Sequence, residues 1–521
     1  MGGAMTERAP IIVVGGGHNG LVCAAYLARA GRQVLVLEAA DRAGGCAATH
    51  EFHPGFKVSS IAHLLYGLDM QVAGDLNLTQ HGLAYAQQNL RSVALHPAAE
   101  ALVFDGDSVS GAGLDAADRD AFRRFVAARR RFAAVLASWH AAPPPRLALD
   151  GWRDALPVAK LGWAVRRLGR KDMRELLRIA TMSVDDWLNE YFTGARIKGA
   201  LALDAVLGAW AGPRSGGTVF ASLHRAAGGG VYSVPQGGMG SLSAALARAA
   251  TAAGAGIRCQ ARVAGFEVAA GRVSGVRLAS GETLACSGVV SALDPQQTLL
   301  GLLGARHLEA EFARRVQHLR ATGTAAKLHL ALSRAPEFHG LKTQDLGERL
   351  LIAPDADYVE RAFNPAKYGD YSPQPVMEIH LPSIHDAAMA PAGQQVLSAI
   401  VQYAPYNLAA GWSAARSRFL ETCLETLARH APGLRASVLH AELLTPADIA
   451  ARAGITGGHW HHGELALDQY LMMRPVPGAA QYQAPVAGLY LCSAGTHPGG
   501  GVLGTPGRLA AAQLLGQEAA P

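Results

Sequence analysis

Residues 10–38 read PIIVVGGGHNGLVCAAYLARAGRQVLVLE. Ile11, Ile12, Val13 and Val14 make a short apolar, β-branched run, the pattern of a strand buried on both faces. The run enters Gly15-Gly16-Gly17-His18-Asn19-Gly20, and the alanine-rich residues 21–28 that follow read as a helix. Gly31 stops that helix, and residues 32–37 form a second strand ending in Glu38. The G-x-G-x-x-G pattern therefore stands in its required strand–turn–helix–strand setting. Gly15 allows the tight turn, Gly17 lets a pyrophosphate approach the backbone, and Gly20 lets helix and strand pack closely. The helix N-terminus turns its partial positive charge toward the phosphates. Glu38 is placed to accept hydrogen bonds from ribose hydroxyls, with Ala39 beside it.

The next residues choose between dinucleotides. Asp41-Arg42-Ala43-Gly44-Gly45-Cys46 offers a second glycine pair that closes over a pyrophosphate, with Arg42 as counter-charge. This extension resembles the FAD-binding signature of the amine oxidase and phytoene desaturase superfamily, so FAD is the expected cofactor. His18 stands where a small residue is usual and is expected to meet phosphate or solvent. Cys46 is expected to be a small packing residue near the flavin edge.

The chain returns to this unit twice. Val234-Pro235-Gln236-Gly237-Gly238-Met239-Gly240 precedes a helical stretch over 241–252, then short strands begin near Ile257, with hairpin turns at Gly271 and Gly281. Residues 288–292 form the strand that leaves. The third visit, residues 488–508, ends a strand in a glycine-rich loop and starts a helix near Pro506, a residue suited to a first helical turn. Such a helix aimed at a flavin would stabilise negative charge on the reduced ring.

With these motifs in place, residues 10–45, 231–295 and 464–512 resemble the bacterial phytoene desaturase group, closest to its pyridine nucleotide-disulfide oxidoreductase domain-containing protein 2 branch. Residues 181–187, 211–215 and 467–478 carry the same resemblance, while Cys46 and Ser59-Ser60 depart from the desaturases. The resemblance implies a Rossmann-type α/β FAD-binding domain with a discontinuous α+β substrate domain. It also implies cofactor contacts at Val263, Gly495, Thr496, Gly504, Thr505 and Pro506. The expected division is 1–95, 229–300 and 464–521 for FAD binding, with 96–228, mostly helical, and 301–463, sheet plus helices, for substrate. Helices are expected over 118–139, 183–207 and 413–430, and strands over 325–332, 376–381 and 396–403.

Composition narrows the classes. A chain of 521 residues, half hydrophobic and 17% charged, is globular and long enough for several cores. The net charge of +6, the low aromatic content and the lack of a long basic stripe argue against nucleic acid. Six cysteines with no C-x-x-C pair suit a reducing, cytoplasmic setting. No apolar run reaches the length of a membrane span, and no signal-peptide pattern precedes the first strand. Residues 1–6 formally fit a myristoylation pattern, with an alternative start at Met5 the simpler reading. Residues 157–178 place Trp163, Arg166, Arg167, Arg170, Lys171 and Arg174 at helical spacing. This pattern fits either a solvated face or peripheral contact with the inner face of an anionic membrane.

Three histidines and two carboxylates crowd residues 459–469, HWHHGELALDQ. The spacing does not make a zinc site, and no metal is expected. Because the stretch precedes the final return to the flavin, His462, Glu464 and His497 are the candidate catalytic residues. Each is able to exchange a proton beside the ring, and His459 is expected to be a bystander. The expected reaction is removal of hydride from a lipophilic substrate (polyene, isoprenoid or acyl) by a desaturase or dehydrogenase, with electrons passing to dioxygen, a quinone or another acceptor. An amine oxidase, a double-bond isomerase and a non-catalytic escort protein on the same fold are the alternatives.

Overall fold

The protein is described by a computed structural model covering residues 9–146 and 152–518; the pattern at residues 1–6 lies outside the described residues. β1 (Ile11–Val14) is the middle of a five-stranded parallel sheet. It pairs with β2 (Val34–Leu37) on one side and with Gly288–Ser291 on the other. Gly256–Arg258 and Leu489–Leu491 form the two edges. Three distant stretches of chain thus build one sheet. The period-2 alternation of strand side chains divides the two cores. Ile11 and Val13 pack under α1 (His18–Arg29) and the helices Met239–Ala252 and Thr505–Glu518. Ile12 and Val14 pack instead on the antiparallel strands Val263–Ala269 and Arg272–Leu278. Burial on both faces explains why these strands are apolar runs without a polar side.

The second sheet has eight strands in the spatial order Val438–Leu444, Ala325–Leu332, Gln395–Gln402, Val376–His380, Arg349–Ile352, Ser92–Ala94, Leu102–Asp105, Ser108–Ser110. All neighbours are antiparallel except Arg349–Ile352 with Ser92–Ala94. Its strands alternate by chemistry as well as by direction. Leu328, Leu330, Met377, Ile379, Leu397 and Ala399 face the helix Trp412–His430. The intervening positions Lys327, His329, Arg349, Glu378, His380 and Ser398 are polar and yet buried. That polar-bearing face is covered by the helices Ala116–His140, Ala195–Val206 and Thr218–Ala227, which pack on Leu351, Ile400 and Tyr403.

The α/β class and most elements read from the sequence are present, with informative differences. Residues 183–207 form two helices, Val184–Asn189 and Ala195–Val206, because Gly194 caps the second one. The basic stretch at 157–178 is likewise divided into Trp152–Arg166 and Gly169–Ile179, with Gly169 at φ +83° between them. Trp163 is 64% exposed there. Among the described residues no helix is long and apolar enough to cross a membrane.

Close packing of two helix N-termini holds the first sheet's face together. A Cβ at Gly507 would lie 2.2 Å from the Asn19 carbonyl oxygen, so Thr505–Glu518 crosses the first turn of α1 at backbone contact. Gly507→Ala should therefore cost about 1–3 kcal/mol, the usual range for overpacking. A thermal unfolding midpoint equal to that of the parent protein would contradict this contact.

Candidate active site

Where β1 and β2 end, Gly15, Gly17, His18, Asn19, Glu38, Ala39, Arg42, Gly45, Cys46 and Val263 line a cleft of about 1130 Å³. Ile61, Trp460, His462 and Ala494 complete its other end. Gly15 turns the chain at φ +98°, and nothing stands within 4 Å of a Cβ placed on Gly17, so that glycine opens onto the cleft. Gly44 donates its N–H to the Gly16 carbonyl at 2.9 Å, which clamps the second glycine pair against the first. Glu38 accepts from the N–H of Gly16 at 2.7 Å and of Ala40 at 2.8 Å. Its carboxylate is thereby held at the cleft wall with lone pairs to spare. Arg42 has a largely exposed side chain beside Asp41.

Several buried polar atoms around this cleft have no protein partner: His18 Nε2, Asn19 Oδ1, His50 Nδ1 and His462 Nδ1. Native proteins seldom leave such atoms orphaned. With the open glycine floor and the helix N-terminus of α1, they fit a large dinucleotide that brings its own donors and acceptors.

The final return of the chain is arranged differently from the sequence reading. Gly495, Thr496, Gly504, Thr505 and Pro506 do not line the cleft. A Cβ on Gly495 would meet Pro295 at 2.5 Å, Thr496 caps the Ser493 carbonyl, and Gly504 lies against Val22 and Val72. Thr505 donates to Asp69. These small residues are used for close packing below the cleft, and only Ala494 of the strand exit reaches it. Gly20 also packs: a Cβ there would lie 2.2 Å from the Gly15 carbonyl oxygen.

The buried Arg474 fixes the histidine-rich turn. Its guanidinium donates to five carbonyls, those of His461 and Ala494 at 2.9 Å, Glu464 at 2.9 Å, Gln469 at 3.2 Å and Gly463 at 3.4 Å. Burial pushes its pKa down to about 10, which leaves it charged at neutral pH. His462 adopts φ +56°, so neighbouring side chains in the turn point to different places. His462 faces the cofactor cleft, near His18. His461 faces the other way, into an adjoining cavity, and its Nε2 accepts from Trp460 Nε1 at 3.0 Å. Glu464 does not reach the cleft; it accepts from the Trp210 N–H at 3.2 Å and contacts His459 at 3.4 Å. His459, read as a bystander, is this carboxylate's buried partner. His497 is fully buried with Nε2 on the Trp139 carbonyl at 3.0 Å, away from the cleft. Of the three candidate catalytic residues, the structure brings only His462 to the cofactor cleft.

The adjoining cavity, about 80 Å³, was not legible from any motif. His18, Cys46, Ile61 and Trp460 line both spaces, so cavity and cleft adjoin across these four side chains. Its walls are Ile61, Leu64, Leu207, Ile400 and Val502, and its far end carries Tyr66, His63, Arg225 and Glu378. Burial lowers the pKa of His18 and His63 to about 4 and of His461 well below the ordinary value. His462 is lowered to about 4, again mainly by burial, with Asp294 opposing. Burial pushes the Cys46 thiol up to about 12, which keeps it protonated.

Comparison with known proteins agrees with this geometry. Residues 20–515 match the model of flavin containing amine oxidoreductases. The chain belongs to that family. It is 34% identical to pyridine nucleotide-disulfide oxidoreductase domain-containing protein 2 of Rattus norvegicus, over 98% of this chain and 94% of the relative. It is 28% identical to a neurosporene-forming phytoene desaturase of Cereibacter sphaeroides over 54% of this chain and 53% of that protein. A putrescine oxidase structure with putrescine bound shares the fold at 17% identity, with a TM-score of 0.61 over 98% of this chain and 99% of that one. The cofactor is FAD.

Two outcomes are expected. Glu38→Ala removes the acceptor for two backbone N–H groups at the cleft wall and should weaken FAD binding about 10- to 100-fold, the worth of charge-assisted hydrogen bonds. Arg42→Ala should change binding little, and equal losses measured by fluorescence titration of the apoprotein would refute this division. The second concerns pH. His18, His63 and His462 titrate near 4 when folded and at 6.5 in the unfolded reference. Between those values the unfolded chain binds more protons, so stability rises with pH through this window and levels off above it. Unfolding midpoints that do not fall as pH is lowered from 6.5 toward 4 would contradict buried neutral histidines.

Proposed function

We propose that this protein is an FAD-dependent dehydrogenase of the desaturase type, acting on a hydrophobic substrate of polyene, isoprenoid or acyl character. The observation that carries this reading is the apolar cavity formed by Ile61, Leu64, Leu207, Ile400 and Val502, which adjoins the cofactor cleft at His18, Cys46 and Trp460. Bound FAD supplies an acceptor for hydride. The protein's share is to bind the substrate's apolar body there, to exclude water and to manage protons. Trp460 contributes to the exclusion by lying against Gly208, where an added Cβ would sit 2.9 Å from the indole. His462 is neutral at physiological pH and its Nδ1 has no protein partner, so it is, with His18, a cleft-side group free to hold a proton. Glu464 then acts as a structural acceptor for the turn. The electron acceptor in this proposal is dioxygen, a quinone or another oxidant.

Among the described residues, Tyr66 and Trp460 are the only aromatic side chains lining the cavity besides its histidines. A paired aromatic cage, expected of an amine oxidase, has no counterpart in that lining. Under anaerobic mixing, substrates with an apolar body should bleach the flavin absorbance, and simple amines should not. His462→Gln should slow that bleaching by roughly 10²-fold or more if it takes up the proton, whereas Glu464→Gln leaves the rate near that of the parent. Rapid bleaching by amines alone would favour the amine oxidase reading, and a flavin inert to every class would favour an escort protein.

The exposed Trp163, Leu156 and Val158 lie among the exposed Lys160, Arg166, Arg167, Arg170, Lys171 and Arg174. Apolar and cationic side chains mixed on one surface support peripheral contact with an anionic membrane, from which a lipophilic substrate would enter. Co-sedimentation with anionic but not neutral vesicles, lost on Trp163→Asp, is the expected result; indifference to lipid charge would refute it.

A further inference from the structure

The polar end of the substrate cavity has an unbalanced charge. Arg225, in the last turn of Thr218–Ala227, donates through Nε to Tyr232 at 2.9 Å, and its guanidinium lies 4.7 Å from the Tyr66 ring. Its Nη2 reaches Glu378 at 3.4 Å, and Asp204 is 4.0 Å from Nε. Its Nη1 has no hydrogen bond to any described residue, and the side chain lines both this cavity and the one beside it.

The neighbouring carboxylates are already engaged. Glu378 accepts from Arg349 Nε at 2.5 Å on one oxygen and pairs with His63 at 3.1 Å on the other. Asp204 accepts from Arg349 Nη2 at 2.5 Å. Arg349 is wholly buried, donates also to Ser92 and lies over the Tyr232 ring. Arg129 stands close enough to feel Asp204 and Tyr232, and its Nε has no partner. Three guanidiniums, which do not lose their protons, thus face two carboxylates. Lys327 brings no negative charge to offset this, and burial lowers its pKa well below the ordinary value. The cluster thus carries one positive charge in excess, and Arg225 is its guanidinium on the cavity wall, with Nη1 unpartnered among the described residues; a buried ion without its full complement of partners is costly. A planar monoanion that accepts from a guanidinium fork would offset it.

We infer that Arg225 anchors a carboxylate at one end of an otherwise apolar substrate and so determines the substrate class as a carboxylic acid. The inference rests on the reading of the apolar cavity as the substrate site. The anchor sets orientation: with the acid group held at Arg225, the apolar chain runs along Leu207, Ile400 and Val502 toward His18 and Cys46, where the cleft begins. Glu378, saturated by Arg349 and His63, offers no free oxygen for an ammonium group, so the same end selects against amines.

The test uses the FAD-loaded protein and three probes of one length, octanoate, octanol and octylamine, with the flavin absorbance spectrum as readout. Octanoate is expected to perturb the spectrum with an affinity at least about tenfold above that of octanol, the advantage of one charge-assisted pair. In Arg225→Gln that advantage disappears while octanol binding is unchanged, and Arg225→Lys restores part of it. Equal binding of octanoate and octanol overturns the anchor and leaves the cavity reading standing. Preferential binding of octylamine overturns it as well and points to Asp204. If no probe perturbs the flavin, the cavity reading and the anchor fall together. The comparison of probes in the parent protein decides the question even where a variant fails to fold.

Discussion

A single buried guanidinium holds the two halves of the site in register. Arg474 donates to the carbonyls of His461, Gly463, Glu464, Gln469 and Ala494. Ala494 follows the edge strand of the cofactor sheet, while residues 461–469 belong to the loop that descends from the substrate side. One side chain therefore satisfies backbone groups on both sides of the boundary between sheets. Removing it would take a donor from five buried carbonyls at once, of which Glu464 alone keeps a side-chain partner in Gln469, and leaving it without them would strand a charge in the interior. The consequence is geometric. His462 is held toward the cofactor cleft and His461 toward the substrate cavity, two neighbours serving two compartments.

The eight-stranded sheet solves a second problem, placing charge inside a protein without breaking the core. Its strands put Leu, Ile and Met toward one helix and Lys327, Arg349, Glu378 and Ser398 on the other face, where Glu378 reaches the cavity. Each polar member is tied to another: Lys327 to Ser398, Ser398 to His329, Glu378 to His63 and Arg349. A network so nearly satisfied rigidifies the floor beneath the substrate. Arg225, whose Nη1 has no partner among the described residues, lines the cavity beside His63 and Glu378.

The cofactor half was legible because it is local. Strand, glycine turn, helix and Glu38 are consecutive, and each residue's task follows from its position in a single βαβ unit. The glycine-rich return misled for a physical reason: glycines permit close approach to a ligand and to a neighbouring helix alike. Gly495, Gly504 and Gly507 serve the second purpose. The choice among His461, His462 and Glu464 turned on a positive φ at His462, which no spacing rule reports. Arg225, Glu378 and His63 come from three separate elements, so no contiguous motif marks them. A signal was nonetheless present. Strands such as AAKLHLAL and VMEIH alternate polar and apolar residues although both faces are buried, and that mismatch points to a polar cavity floor.

The proposed arrangement is a flavin whose reactive end would lie at the junction marked by His18, Cys46 and Trp460, facing the cavity that carries Arg225. The most direct measurement is a crystal structure of the FAD-loaded protein soaked with octanoate. The account predicts the ring system at that junction, with His462 beside it and the carboxylate on the Arg225 fork. A ring system elsewhere in the cleft, or a fatty acid bound with its carboxylate away from Arg225, would contradict it.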